Sequence, residues 1–193
     1  MSKGISYWIT TDTHLGHKEM IQYCGRPEDF EQKIFKNMQK CMNPDDIMIH
    51  LGDVCMKNES FWHEKLIRHA PRTRWLVRGN HDSKSYVWYT RNGWSFAGET
   101  FSLIYRNKHI LFSHKPYPIK DFDLNIYGHF HNNPVKKWEP HLKAILTNKH
   151  YLLVIEDTHY SPMSLNQIIT EYQKKLSNRM DMSNAMSSVS AAL

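Results

Sequence analysis

Short apolar runs alternate with helical periodicity along the first half of the chain. Three such runs, each bounded by polar or turn-forming residues, predict buried strands at residues 5–9, 47–51 and 74–77. Residues 28–42 and 59–69 place apolar side chains at helical spacing, so they predict two helices between these strands. Because strands and helices alternate, we expect the three strands to pair in parallel.

The second half of the chain has a different pattern. Residues 100–114 are typical of a hairpin of two short strands, and residues 123–129 and 151–156 predict further strands. Residues 164–176 carry apolar side chains on one helical face, with Ser164 as the expected N-cap. The expected fold class is therefore mixed α/β, with a mixed sheet system covered by helices.

The length of 193 residues favours a single domain. With 40% hydrophobic and 23% charged residues, the composition is that of a globular protein. We place the domain at residues 1–176 and expect residues 177–193, which are rich in Ser, Asn, Met and Ala, to form a flexible tail. Residues 132–149 form a long polar connection that contains Trp138, and loops of this length are often functional.

Charge and cysteine content indicate which partners the protein would bind and in which compartment it would occur. The net charge of +6 suits anionic partners such as phosphates, nucleotides, nucleic acid or an acidic surface. The three cysteines are odd in number and lack C-x-x-C spacing, which favours reduced thiols and a cytoplasmic location, the host cytoplasm if the protein is viral. No apolar run is long enough to predict a membrane span, and the charged Asp12 comes too early for a secretory signal.

Residues of the types that bind metals follow five of the predicted strands. They occur in five short motifs: Asp12-Thr13-His14, Gly52-Asp53, Gly79-Asn80-His81-Asp82, Ser113-His114 and Gly128-His129-Phe130-His131. Ligand crevices form at strand ends in open α/β sheets, and the glycines allow a tight turn after the strand.

The chemistry of these motifs indicates a pair of metal ions. Imidazole and carboxylate groups together suit divalent first-row metals, and the absence of matching cysteines argues against a structural zinc site. Seven ligand groups are too many for one ion, and they suit two ions that share a carboxylate. Two such ions form a clamp for in-line displacement at phosphorus.

The order of the motifs, D-x-H, G-D, G-N-H-D, an isolated His and G-H-x-H, resembles that of the calcineurin-like metallophosphoesterase superfamily. The chain resembles the compact, stand-alone bacterial or bacteriophage phosphoesterases, and the motifs extend from Asp12 to His131. The resemblance implies a four-layer α-β-β-α sandwich of two mixed β-sheets flanked by helices. It also implies hydrolysis of a phosphate ester by a hydroxide that bridges two divalent metal ions.

The resemblance implies a role for each motif residue. The implied metal ligands are Asp12, His14 and His131 for the first ion, Asn80, His114 and His129 for the second, and Asp53 for both. His81 is implied to be the catalytic general acid that protonates the leaving oxygen. Mn²⁺ is the expected ion, and the same ligands accept Fe, Ni, Zn or Mg.

One position departs from the pattern of the family members that act on phosphoproteins. Those members carry G-D-x-x-D-R-G, in which the second Asp partners the catalytic His. Met56 stands at that position in this chain. The departure weakens a protein-phosphatase interpretation and leaves the orientation of His81 to another group.

The resemblance, together with the short length and the basic charge of the chain, implies a small phosphorylated substrate of the nucleotide type. Four further residues are candidates for substrate binding: His17, Arg26, Lys115 and Tyr117. The alternative interpretations are a helix cap for His17 and a solvated loop residue for Arg26. His50 lies inside a predicted strand and is expected to be a packed core residue.

Two other functions stay as alternatives, and the sequence leaves open monoester or diester substrates and the oligomeric state. A metal-dependent nuclease acting on DNA or RNA would lose binding uniformly as salt is added. A non-catalytic binding scaffold of the same fold would lack part of the ligand set. Because this chain has the full set and His81, the sequence favours an enzyme.

Overall fold

The computed structural model describes residues 4–132 and 139–190, and residues 179–190 by their backbone alone. The strands are β1 (Tyr7–Thr10), β2 (Ile47–His50), β3 (Thr73–Val77), β4 (Phe96–Gly98), β5 (Thr100–Tyr105), β6 (Lys108–Ser113), β7 (Leu124–Tyr127), β8 (His150–Leu152) and β9 (Met163–Ser164). The helices are α1 (Met20–Cys24), α2 (Phe30–Cys41), α3 (Glu59–His69), α4 (Tyr86–Arg91), α5 (Pro140–Lys143) and α6 (Leu165–Ser190).

The first sheet contains the three strands predicted from the first half of the chain. Its strand order is β4-β3-β2-β1-β9. Strands β1 to β4 pair in parallel, with Ile9 opposite Ile49 and Ile49 opposite Trp75, whereas β9 pairs with β1 in the antiparallel direction. The parallel pairing of β1, β2 and β3 confirms the prediction from alternating strands and helices.

The second sheet has the strand order β5-β6-β7-β8. Strands β5 and β6 form the predicted antiparallel hairpin, in which Phe101 lies opposite Phe112. Strands β6, β7 and β8 pair in parallel. Strand β8 ends at Leu152, so the predicted strand over residues 151–156 is too long.

Both faces of the first sheet are buried. One face, which includes Ile9 and Ile49, packs against Phe112 and Ile126 of the second sheet. The opposite face packs against α2 and α3, where the fully buried side chains include Met38. Two mixed sheets flanked by helices confirm the predicted fold class.

Helix α6 adds its apolar face to the core between the sheets and packs against β1. Ser164 caps it as predicted, because its Oγ accepts a hydrogen bond from Gln167 N at 3.2 Å. Gln167 Oε1 in turn accepts from Ser164 N at 3.0 Å, which completes a reciprocal cap. The helix continues past Ser177 to Ser190, while independent motion of residues 177–193 stays a prediction.

Five short elements were not predicted as elements: α1, α4, α5, β4 and β9. None exceeds six residues, so periodicity alone carries little signal for them. Helix α4 places Tyr89 in the buried cluster of the helical layer with Trp94, and the partly buried Trp88 packs against them. Residues 133–138 of the long polar connection, including Trp138, lie outside the described residues.

Among the described residues, none of the helices has the length and hydrophobicity that a membrane crossing requires. The cysteines Cys24, Cys41 and Cys55 form no disulfide bond with one another.

His63 is a buried neutral histidine of the helical layer. Its Nδ1 accepts a hydrogen bond from Trp94 Nε1 at 2.9 Å, and Trp88 and Tyr89 pack against its ring. Burial lowers the pKa of His63 to about 4, from an ordinary value of 6.5. An imidazolium would be poorly solvated here, so folding favours the neutral ring.

Acidification from pH 7 to pH 5 is therefore expected to destabilise the fold through His63. The unfolded chain takes up a proton near pH 6.5 and the folded chain only near pH 4, so the stability present above pH 6.5 falls between these values. This group alone contributes a loss of ~2 kcal/mol in the free energy of unfolding at pH 5. Urea unfolding of His63→Gln, which keeps an acceptor for Trp94, should lack that part of the pH dependence. The exposed control His141→Gln should retain it, and an unchanged pH dependence in H63Q would contradict the assignment.

Candidate metal centre

The predicted ligand motifs converge where the carboxyl ends of the parallel strands meet. In the first sheet, Asp12 N donates to Gly52 O at 2.9 Å and His14 N donates to Asp53 O at 3.0 Å, so the loops after β1 and β2 run side by side. The two sheets are joined at the same place, because His129 N donates to Asp12 Oδ2 at 2.9 Å. The turns after β6 and β7 thereby face the loops after β1 and β2.

The first cluster consists of Asp12, His14 and His131, with Asp53 beside it. His14 Nε2 lies 4.0 Å from Asp12 Oδ1 and 3.6 Å from Asp53 Oδ2, and His131 Nε2 lies 3.9 Å from Asp12 Oδ1. Asp12 Oδ1 and His14 Nε2 are buried and have no hydrogen-bond partner among the described groups. Buried polar atoms normally have partners. These atoms therefore fit a cation that would bind between them.

The second cluster consists of Asp53, Asn80, His114 and His129. His114 Nε2 lies 3.4 Å from Asp53 Oδ2, 3.0 Å from Asn80 Oδ1 and 3.2 Å from His129 Nδ1. Four nitrogen and oxygen atoms therefore surround one small volume. Asp53 Oδ2 belongs to both clusters, so the seven predicted ligands form one continuous site.

Five of the seven ligand residues adopt a left-handed backbone conformation. Their φ angles are +49° for Asp12, +45° for His14, +55° for Asp53, +74° for His129 and +49° for His131. This region is uncommon for residues with a side chain, and such residues cluster at functional sites. The surrounding fold holds the strained turns that aim these side chains inward.

The motif glycines are needed for two different reasons. Gly52 has φ +98°, which agrees with the expected tight turn. At Gly79 the requirement is space, because an added Cβ would lie 2.1 Å from Asp53 Oδ1. At Gly128 it would lie 2.4 Å from Asp12 Oδ2 and 2.0 Å from Thr11 Oγ1. The conformational explanation thus holds for Gly52, and close approach to a ligand carboxylate explains the other two.

The histidines balance the charge of the buried carboxylates. Burial by itself would raise the pKa of Asp53, but the hydrogen bond and charge of His114 outweigh it and hold the pKa below its usual range. Burial opposes protonation of His114, yet the carboxylates of Asp53 and Asp12 raise its pKa to about 9. Burial opposes protonation of His131 too, yet a hydrogen bond with Cys24 and the carboxylates of Glu156 and Asp12 raise its pKa to about 10. Burial dominates for His14 and His129 and lowers the pKa of both. A cation bound here would displace the protons of His114 and His131.

Two glutamates that sequence reasoning missed orient the histidines of the G-H-x-H motif. Glu156 Oε1 lies 3.2 Å from His131 Nδ1, and Glu139 Oε2 lies 3.1 Å from His129 Nε2. Each carboxylate fixes the proton on the ring nitrogen that faces away from the cluster, so the other nitrogen is free to bind a cation. Neither glutamate belongs to a motif, so the sequence carried no local signal for them.

Asp82, the last residue of the G-N-H-D motif, supports the Asp53 loop. Its carboxylate accepts hydrogen bonds from Asp53 N at 2.8 Å, Val54 N at 3.0 Å and Gly79 N at 2.8 Å. Burial raises the pKa of Asp82, and the negative charge of Asp53 acts in the same direction. Asp82 thereby joins the loops after β2 and β3 without facing the clusters.

Replacing Asp82 with Asn is expected to destabilise the fold. A carboxamide offers one acceptor oxygen for three buried N–H groups, and its NH₂ group faces donors. The expected loss in the free energy of unfolding is ~1–3 kcal/mol, measured by urea denaturation. Asp157→Asn, at an exposed aspartate, is the matched control. Equal stability of the two variants would contradict a supporting role for Asp82.

His81 lies at the mouth of the site. Its backbone N donates to Asp53 Oδ1 at 2.8 Å, and its Nε2 lies 4.0 Å from Asp53 Oδ2. The side chain is 38% exposed, and its ring meets that of His14 edge to face with centroids 5.4 Å apart. Met56 provides no carboxylate that could orient the His81 ring. Packing against the His14 ring orients it instead.

The four candidates for substrate binding occupy different places. His17 packs between His14 and Tyr23, and its Nε2 lies 3.6 Å from Glu19 Oε2. Lys115 Nζ lies 2.6 Å from Glu139 Oε1, and Tyr117 is exposed at the rim of a cavity beside His114. All three lie near the clusters, and a substrate contact stays a prediction for each.

Arg26 is buried behind the first cluster. Its guanidinium donates to Asp12 O at 2.8 Å, Thr13 O at 2.9 Å and Glu156 Oε1 at 2.7 Å. These bonds brace the strained turn after β1 from behind. They favour a positioning role, and the predicted phosphate contact stays untested.

His50 is a fully buried residue that supports the same turn, as expected for a packed core residue. Its Nδ1 accepts from Gly52 N at 3.1 Å, and its Nε2 lies 3.0 Å from Thr13 Oγ1. Burial lowers the pKa of His50 to about 3, so the ring is neutral at physiological pH.

The chain has relatives over most of its length. An uncharacterized protein of Methanocaldococcus jannaschii is 27% identical over 179 residues, and the match covers 86% of this chain and 91% of that protein. A solved structure of a protein of unknown function from Aquifex aeolicus is 24% identical, with a TM-score of 0.69, 86% of this chain covered and 99% of that chain covered. The similarity to the Aquifex aeolicus structure shows that the two chains share a fold.

A solved structure described as a novel archaeal phosphodiesterase is 16% identical, with a TM-score of 0.43 and coverage of 70% of this chain and 79% of that chain. The family model described as calcineurin-like phosphoesterase matches residues 5–175. This match covers nearly the whole described fold and every ligand motif. The chain belongs to the calcineurin-like phosphoesterase family.

Proposed function

We propose that this chain is a two-metal phosphoesterase that hydrolyses a phosphate ester of a small, nucleotide-type molecule. The family supports phosphoester hydrolysis in general. The observation that carries the proposal is the position of Asp53 Oδ2, which lies 3.6 Å from His14 Nε2 on one side and 3.4 Å from His114 Nε2 on the other. A carboxylate shared by two histidine clusters fits a pair of cations better than a single one.

The donor set supports divalent cations. Asp12, His14 and His131 would hold one ion and Asn80, His114 and His129 the other, with Asp53 between them. Oxygen and imidazole nitrogen donors without sulfur suit Mn²⁺, and Fe, Ni, Zn or Mg fit the same set. When bound, two such cations supply Lewis-acid stabilisation of the phosphate oxygens and a nucleophile at neutral pH.

His81 is the proposed general acid. Its exposed ring stands at the entrance to the clusters, where Nε2 can donate a proton to the leaving oxygen of the ester. The backbone bond from His81 N to Asp53 Oδ1 ties its position to the shared carboxylate. His81 can donate this proton without a carboxylate partner at position 56, where this chain has Met56.

Asp53→Asn is expected to remove bound metal and hydrolysis together. The amide has the shape of the carboxylate but lacks the charge that offsets two cations. Metal content after dialysis against Mn²⁺, followed by hydrolysis of p-nitrophenyl phosphate, measures both effects. Asp45→Asn, at an exposed aspartate far from the clusters, should leave both unchanged. Hydrolysis by D53N at the parental rate would overturn the two-metal proposal.

His81→Ala is expected to keep the metal content and to slow turnover. Loss of general acid catalysis reduces the rate by roughly 10²–10⁴-fold. The effect should be smaller for an ester whose leaving alcohol has a low pKa, because such a group departs without a proton. His141→Ala serves as the exposed control. An equal loss with good and poor leaving groups would exclude His81 as the acid.

A further inference from the structure

A cavity of about 490 Å³ opens beside the second cluster. Asn80 and His114 form the wall that it shares with that cluster, and Arg78, Glu99, Lys115 and Tyr117 line the remainder. A phosphate held at the clusters would direct its ester oxygen and alcohol group into the adjoining space. The volume lies within the range of small-molecule sites.

The charge of Arg78 in this cavity is already compensated. Its guanidinium lies 2.5 Å from Glu99 Oε1, and Tyr86 OH donates to the same carboxylate. The guanidinium also stacks over the Tyr86 ring, with 4.7 Å between Cζ and the ring centroid. Glu99 thus has two donors and Arg78 two partners, which holds the pair in place on the cavity wall.

The other charged side chains of the lining are engaged as well. Lys115 Nζ is paired with Glu139 at 2.6 Å. The Asp82 carboxylate accepts three backbone N–H groups and has no need of a cation. What the cavity offers a ligand is the hydroxyl group of Thr100 and the half-exposed ring of Tyr117. The Ser83 hydroxyl donates to Glu59 Oε1 at 2.9 Å, so its oxygen is available as an acceptor only.

We propose that this cavity binds a neutral nucleoside as the alcohol part of the ester, and that the Arg78–Glu99 pair selects against alcohols bearing a second phosphate. This inference rests on the proposed function. Hydroxyls can hydrogen-bond a sugar, and an exposed aromatic ring can stack on a base. A second phosphate entering the cavity would meet the Glu99 carboxylate and would have to separate it from Arg78, and like charges placed together oppose binding.

The test is ligand binding to the Mn²⁺-loaded protein, measured by calorimetry with adenosine 5′-monophosphate and adenosine 3′,5′-bisphosphate. The wild-type chain should bind the monophosphate at least as tightly as the bisphosphate. Glu99→Gln keeps an acceptor for Arg78 and Tyr86 but removes the negative charge. It should tighten binding of the bisphosphate about fivefold relative to the monophosphate, as expected for one partly exposed cation whose charge is no longer neutralised. Glu64→Gln, which removes the negative charge from a similar pair with Arg68 on the exposed face of α3, should leave the ratio unchanged.

Tyr117→Ala supplies a second measurement. It should weaken the monophosphate about tenfold, the effect of one lost base stack, and leave the affinity for inorganic phosphate unchanged. The inference would be overturned by a wild-type preference for the bisphosphate, or by an unchanged ratio of bisphosphate to monophosphate affinity in E99Q. It would also be overturned if Y117A lost affinity equally for the monophosphate and for inorganic phosphate. Failure of the proposed function is a separate result, namely no metal-dependent hydrolysis of any phosphate ester by a chain that still shows these binding ratios.

Discussion

Asp53 is a buried carboxylate that two clusters of imidazoles share, and the rest of the site is arranged around it. A charge of this kind is costly to bury unless groups of opposite sign surround it. His114 and His14 face one of its oxygens, and His81 N donates to the other. Asp82 holds its backbone from behind. These contacts hold the loops close to Asp53. Two divalent cations would compensate its buried negative charge more strongly than protonated histidines do.

The fold provides this arrangement because both sheets direct parallel strands toward the same edge. Strands β1, β2 and β3 end on one side of the interface between the sheets, and β6 and β7 end on the other. The contact between His129 N and Asp12 Oδ2 joins the two sides. Left-handed turns after the strands cost free energy, which the packing of the sheets and the hydrogen bonds of Arg26 and His50 offset. The strained backbone conformations therefore hold the ligand side chains in position at a cost in local stability.

Much of this architecture could be predicted from the sequence because the relevant signals are local. Alternating periodicity located β1, β2, α2 and α3, and the rule that strand ends meet at one edge brought the motif residues together. The supporting groups could not be predicted in the same way. Glu156 contacts Arg26, which is 130 positions away in the chain, and Glu139 follows a long connection without a motif. Such contacts depend on the finished fold, and short elements such as β9 form only because a neighbouring strand is available to pair with them.

The central claim is that the two clusters hold two cations that share Asp53. Anomalous diffraction at the manganese edge, from crystals of the full chain grown in Mn²⁺, tests it most directly. The account predicts two peaks per chain on either side of Asp53, one contacted by Asp12, His14 and His131 and the other by Asn80, His114 and His129. A single peak, or peaks that do not contact Asp53, would contradict it.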